Sequence, residues 1–216
     1  MSPNHPKAKG FTLIELLVVI VIIGILAGIT FTGANFLLGT KDIKKAESEV
    51  EALQLALKQY ESEYGNLPDT ELVNDLDDES ARGQLLLFSL LGLIDEVDNI
   101  LSKEERRKSF LPNDIYTFAT QTESGDYKIV FMDLNNGDVT FVDGENEQVS
   151  ESVCMIDPWN NPYVYEFPRR DGHRGYLLYS KGPDGMSSIF KTELTSTPNI
   201  EDIDQDNIPN SEPGKW

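Results

Sequence analysis

The sequence is poor in cysteine, in histidine and in positive charge. One cysteine, Cys154, stands in 216 residues. No intrachain disulfide can form, so stability outside the cytoplasm must come from packing, assembly or metal. Cys154 follows Ser152 and Val153 in a mixed apolar stretch, and no His or acid pattern points at it; it reads as a small buried hydrophobe, not a nucleophile. The two histidines are His5 and His173. His173 lies beside Arg169 and Arg170 in a turn, and one His with one Cys cannot build a zinc site. Lys and Arg number 18 against 37 Asp and Glu, for a net charge of −19. Setting aside Lys7 and Lys9 leaves 16 − 37 = −21 for the rest of the chain. That excludes nucleic acid as a partner, because phosphate binding needs a basic face. It suits a secreted or periplasmic surface, or one that binds cations. No nucleophile–base pair, phosphate-cradling glycine loop or catalytic carboxylate pair is recognisable, and no enzyme is expected.

Long apolar runs are confined to one place, KGFTLIELLVVIVIIGILAGITF at Lys9 to Phe31. As a helix, Phe11 to Phe31 would extend about 31 Å at ~1.5 Å per residue, which matches a bilayer core of about 30 Å. Lys7 and Lys9 precede it, so the N-terminus stays cytoplasmic and the bulk of the chain crosses. The run is too long for the apolar core of a secretory signal and continues without a break into polar, helix-forming sequence. A single-pass anchor accounts for all of this except Glu15, since an acid at membrane depth is rare and has a partner. A cut between Gly10 and Phe11 would create an α-amine one helical turn from Glu15. In an assembly, Glu15 of one subunit would meet the amine of a neighbour, and pairing would remove two lone charges from an apolar interior.

These residues carry a family resemblance. Lys9, Gly10, Phe11, Thr12, Leu13, Ile14 and Glu15 resemble the N-terminus of type IV pilins and type II secretion pseudopilins. In that family a basic leader ends in Gly, prepilin peptidase cuts before a Phe that is then N-methylated, and a Glu stands fifth in the mature chain. The resemblance implies processing at Gly10 and Phe11 and an assembly role for Glu15.

The helix is expected to continue well past the apolar run. Ile43, Ala46, Val50, Leu53, Leu57, Tyr60 and Tyr64 are spaced by alternating threes and fours, with Lys41, Lys44, Lys45, Glu47, Glu49, Glu51 and Lys58 on the other faces. That is an amphipathic helix lying on its own domain. Gly65 is a C-cap signal and Pro68 prevents continuation. Gly24, Gly28, Gly33 and Gly39 read as weak points that permit the helix to bend, and Gly24 with Gly28 offers a small-residue packing face. The acidic stretch at Asp69 to Ser80 reads as a solvated loop, and ARGQLLLFSLLGLIDEVDNI as a buried helix. Its Gln84 to Leu91 portion loosely resembles a pseudopilin segment. LSKEERRKS reads as exposed. Asp126 to Leu134 and Asp138 to Gly144 read as strands around Asn135 to Gly137. Asn161 to Phe167 and Arg174 to Ser180 read as a second hairpin. Together the two hairpins would form one small antiparallel sheet against the long helix.

A second resemblance lies in the second hairpin. Asp157, Pro158, Trp159, Asn161, Pro162 and Tyr163, then Tyr179, Ser180, Gly182, Asp184 and Gly185, are similar to a segment of the major pseudopilins of type II secretion. Residues ~100 to 150 look like an insertion relative to that family. Near the C-terminus, Asp202, Asp204 and Asp206 alternate and Asn207 follows. Carboxylates at alternating loop positions turn their oxygens toward one point, as calcium requires, and Asn tolerates the left-handed turn. Position 12 of that loop is Pro213, so it is not an EF-hand. The resemblance implies a calcium site with a carboxylate from Asp184, the Lys181 carbonyl, and Asp202 or Asp204. The other reading of these acids is a solvated tail.

The expected fold is therefore α+β and pilin-like: a long N-terminal helix, half of it transmembrane, packed on a small antiparallel sheet domain. The expected divisions are a leader at 1–10, a transmembrane and filament-core helix at 11–31, its amphipathic continuation at 32–64, and a periplasmic domain at 65–216. The expected function is that of a pseudopilin in the inner membrane that assembles into a periplasmic pseudopilus and drives protein export. Its partners would be further copies of itself, prepilin peptidase, other pseudopilins and the inner-membrane secretion platform. A surface type IV pilin and a plain membrane-anchored binding domain remain alternatives on these residues.

Overall fold

The computed structural model describes residues 12–75, 77–95, 97, 99–112, 115–134, 139–149, 152–170, 174–187 and 206–209, without side chains at 29–39 and 209. The chain divides into two compact units, Met1–Lys41 and Asp42–Trp216. Helix α1 runs from Leu13 to Tyr64 and contributes to both. It passes through all four internal glycines as helix. It ends where the sequence signalled, at Gly65, whose φ is +79° and whose amide donates to the Glu61 carbonyl at 2.8 Å.

In the second unit, α1 buries Ala46, Val50, Leu53, Leu57 and Tyr60, while Ile43 is exposed. The buried face is wider than the seven-residue seam and includes Glu49 and Ala56. Glu49 is thus not on an outer face. On a helix of 3.6 residues per turn, positions 46, 49, 53, 56 and 60 form a second i, i+3, i+4 row beside 46, 50, 53, 57 and 60. A charge-based assignment of faces misplaces a carboxylate that lies in that row.

Two sheets complete this unit. The first is five-stranded and antiparallel, in the order β4-β3-β2-β1-β5: β1 is Thr117–Gln121, β2 Tyr127–Asp133, β3 Thr140–Val142, β4 Gln148–Val149 and β5 Val153–Ile156. The second has the order β6-β7-β8, from Val164–Glu166, Leu177–Ser180 and Ile208–Pro209. Both expected hairpins are present, β2 with β3 and β6 with β7. They do not share a sheet. The inner edge of β2 is taken by β1, which pairs in turn with β5, and β7 instead receives β8 from near the C-terminus.

Helix α2, Glu79–Leu91, is shorter than the expected buried segment. Asp78 caps it at the start by accepting from the Ser80 and Ala81 amides, and Gly92 ends it in the left-handed conformation. It packs close to β5: a Cβ on Gly83 would stand 2.8 Å from the Cys154 Cβ. Cys154 is fully buried, and its apolar surroundings push the thiol up to about 12. The stretch between the helices is not simply solvated. Thr70 is buried; its amide and hydroxyl both donate to the Phe167 carbonyl, at 2.7 and 2.9 Å, and its hydroxyl accepts from the Phe167 amide. Residues 101–109 are mostly exposed, as expected, but Arg107 stacks over the Tyr64 ring at 4.8 Å.

Candidate functional site

Three groups of residues hold the chemistry. The first is the start of α1. Thr12 precedes the helix, and the Glu15 carboxylate accepts from the Thr12 amide at 2.8 Å and from its hydroxyl at 2.6 Å. The Glu15 amide donates back to the Thr12 hydroxyl at 3.3 Å. This is a capping box, in which a Thr and a Glu three residues later satisfy each other's orphan amides. The pattern T-x-x-E at Thr12 was visible in the sequence, and the reading of Glu15 as a membrane acid passed over it. Gly10 and Phe11, the residues of the expected cleavage site, lie outside the described residues. Among the described residues no helix is long and apolar enough to cross a membrane.

The second group is the DPWNNPY turn and the loop after β7. Asp157 is buried and sits at the centre. Its carboxylate accepts from the Trp159 and Asn161 amides, each at 2.9 Å, and from the Ser180 hydroxyl at 2.6 Å. Burial raises its pKa, against the lowering effect of the Ser180 and backbone donors. Asn161 reaches on to the loop, donating from Nδ2 to the Gly182 carbonyl at 3.0 Å. Gly185 has φ +66°, and a Cβ there would meet Asn161 Oδ1 at 2.8 Å. The motif residues thus clamp the SKGPDG loop onto β6 and β7.

This loop is also where the C-terminal acids return. β8 pairs with β7, Ser180 opposite Ile208 and Tyr179 opposite Pro209. Asp206, just before β8, accepts the Asp184 amide on Oδ2 at 3.1 Å. Gly182, at φ +69°, faces the Asp206 carbonyl so closely that no Cβ would fit. Of the expected calcium ligands, the structure therefore brings Asp184 and Asp206 together beside Lys181. The Lys181 ammonium is engaged elsewhere, with both carboxylate oxygens of Glu79, one of them at 2.6 Å; that bond leaves its carbonyl out of account. Asp202 and Asp204 lie outside the described residues, as does His173. Among the described residues no group of three or more His, Cys, Asp or Glu could hold a metal ion.

The third group was not anticipated. Glu49 is 1% exposed. Its Oε2 accepts from the Tyr163 hydroxyl at 2.6 Å, and its Oε1 faces Lys45 Nζ at 3.7 Å. The Tyr116 hydroxyl donates to the Glu49 backbone carbonyl at 3.2 Å. Burial raises the Glu49 pKa; the Tyr163 hydrogen bond and Lys45 act the other way. Glu49 thereby ties α1 to the residue that closes the DPWNNPY turn. The partners are 114 positions apart in the chain, so no local pattern could have paired them.

Comparison with known proteins falls on the N-terminal part of the chain. Residues 5–31 match the prokaryotic N-terminal methylation motif. The chain is similar to the type II secretion system core protein G of Escherichia coli (strain K12), 43% identical over 67 residues, which is 30% of this chain and 44% of that protein. It is 43% identical over 68 residues to the core protein G of Aeromonas hydrophila, covering 30% and 46%. With that of Klebsiella michiganensis it shares 42% over 71 residues, covering 32% and 48%. The chain thus spans a little under half the length of the relatives it matches. No solved structure matches it.

Proposed function

We propose that this chain is a pseudopilin, a subunit of the periplasmic filament that drives protein export in type II secretion. The observation that carries the proposal is the coincidence of the methylation motif at residues 5–31 with identities of about two in five to core protein G over some 70 residues. Prepilin peptidase would cut between Gly10 and Phe11 on the cytoplasmic side, and the new Phe11 amine would be methylated. The apolar half of α1 would wait in the inner membrane with the Asp42–Trp216 unit in the periplasm. Assembly would then draw the helix out of the lipid, with Glu15 answering the Phe11 amine of a neighbouring copy. The Thr12–Glu15 capping box fits that sequence of events: until a partner arrives, local donors satisfy the carboxylate, which lowers the cost of holding it in an apolar place.

Calcium at the C-terminal loop belongs to the same proposal. Asp184 and Asp206 adjoin through the bond between the Asp184 amide and Asp206 Oδ2. Asp202, Asp204 and the Lys181 carbonyl would complete an all-oxygen set, and a hard divalent cation would offset the repulsion among these carboxylates. β8 fastens the C-terminal segment to the β6–β7 hairpin, and the ion would secure the loop before it.

Deletion of the gene in its own host tests the proposal. Exported enzymes should accumulate in the periplasm and return to the medium on complementation with the wild-type chain. Undiminished export from the deletion strain contradicts it.

A further inference from the structure

Lys181 is the one cation in the SKGPDG run, and it stands in the loop where Asp184 and Asp206 adjoin. A lysine is rarely taken out of water unless it is paired. The Lys181 side chain is 13% exposed, and its ammonium donates to both carboxylate oxygens of Glu79, Oε1 at 2.6 Å. Glu79 lies in the first turn of α2. The bond joins residues 102 positions apart and ties the loop to that helix.

The same lysine supplies the backbone carbonyl that the calcium reading calls on. That carbonyl shares one planar peptide unit with the Gly182 amide. The amide donates to Ser180 Oγ at 3.1 Å, and Ser180 Oγ donates to the buried Asp157 at 2.6 Å. The peptide is trans, so its carbonyl points away from Ser180. On its glycine side the unit is gripped by the DPWNNPY turn, which also holds the Gly182 carbonyl through Asn161 Nδ2 at 3.0 Å. On its lysine side the grip is the bond to Glu79. The donors around this peptide suit a hard cation. Asp184 is oriented by the Met186 amide, which donates to its Oδ1 at 2.8 Å. Asp206 brings its carbonyl and Oδ2 into the space that a Cβ on Gly182 would fill.

We propose that Glu79 is a positioning residue for the cation loop: by holding the Lys181 ammonium it fixes the Lys181–Gly182 peptide and so the direction of its carbonyl. The inference rests on the calcium reading above and extends that site to a residue of α2 that touches no ligand atom. Side chains that orient metal ligands in this way change metal affinity by about 10–100-fold when replaced. Charge alone predicts the opposite for Lys181, because deleting a cation beside a cation site should tighten binding. The two explanations therefore differ in sign.

Isothermal titration of calcium chloride into the full-length chain in detergent micelles tests this. Lys181→Met keeps the carbonyl and loses the ammonium, and its Kd should rise by about tenfold or more. Lys181→Arg, which still pairs with a carboxylate, should stay within about threefold of wild type. Glu79→Gln should weaken binding at least as much as Lys181→Met, and the two together should weaken it no more than Glu79→Gln alone, as groups that act through one bond do. Glu79 also lies in the field of the buried Arg82, so the decisive variant is Lys181→Met, which leaves Glu79 in place. Asp77→Asn breaks a different bond between the α2 end and the β6–β7 hairpin, the one to Arg170, and should leave Kd unchanged. Binding by Lys181→Met as tight as wild type or tighter, or an equal loss in Asp77→Asn, overturns this inference and leaves the calcium reading standing. No calcium binding by the wild-type chain overturns both.

Discussion

Replacing Tyr163 by Phe removes one hydroxyl and leaves Glu49 without the donor that satisfies Oε2. Both side chains are about 1% exposed, so water does not take the donor's place without opening the core. Hydrogen bonds to charged groups contribute about 1.5–3 kcal/mol, and a neutral one about 0.5–1.5 kcal/mol. Where Glu49 carries its charge, the loss should therefore be about 1.5–3 kcal/mol. For a unit of this size, 1 kcal/mol shifts the melting temperature by about 2–4 °C, so Tyr163→Phe in the Asp42–Trp216 unit should melt about 3–12 °C lower. The effect carries a pH signature. Burial raises the folded-state pKa of Glu49 above its ordinary value. The folded state therefore binds its proton more tightly than the unfolded state; this contribution to stability is fully present below the unfolded pKa and is lost as pH rises through the folded pKa. Removing the Tyr163 donor, which acts to lower that pKa, raises it further. The deficit of Tyr163→Phe against wild type should accordingly shrink on acidification, toward the value of a neutral hydrogen bond. Thermal melts of both proteins between pH 4 and pH 8 measure this. A deficit that does not change with pH would refute an ionised, buried Glu49 held by Tyr163.

Two further outcomes follow from the other groups. Glu15→Ala should insert as well as wild type or better, since removing a membrane carboxylate favours insertion by roughly 2–3 kcal/mol, yet should fail to crosslink to neighbouring helices. Glu15→Gln separates the two roles of this residue, because Gln preserves a capping box but not an ion pair; it should fail like Ala, and crosslinking at wild-type levels would dismiss the pairing role. The Asp42–Trp216 unit should melt higher in millimolar calcium than in chelator, by an amount equivalent to about 2.7 kcal/mol at a hundredfold excess over Kd. Magnesium should substitute poorly, and Asp184→Ala and Asp204→Ala should each abolish most of the gain while Asp77→Ala retains it. A melting temperature indifferent to calcium would leave the acidic segment a solvated one.

The parts of the fold that sequence makes legible are those written in local chemistry. The end of α1 is announced by Gly65, both hairpins by alternation around polar turns, and the burial of Cys154 by its apolar neighbours. β1 and β5 escape notice for physical reasons. TFATQ mixes small, polar and aromatic residues without a clear period, and VCMI is buried along its whole length, so it shows no alternation. The division into two sheets depends on β8, a two-residue strand supplied from the far end of the chain. Glu49 is the sharpest case: a charged residue in a helix suggests solvent, and only the placement of Tyr163 shows why this one is inside. In the DPWNNPY turn, family likeness marked the residues, and the structure supplies their role, a buried Asp157 holding the loop that meets Asp206.

The central claim, that the chain is a processed pilin-like subunit, is tested most directly at its N-terminus. Intact-mass and N-terminal analysis of the full-length protein, extracted from membranes of a host with active prepilin peptidase, should show chains that begin at N-methylated Phe11. Protein that begins at Met1 or Ser2 in that host contradicts the claim.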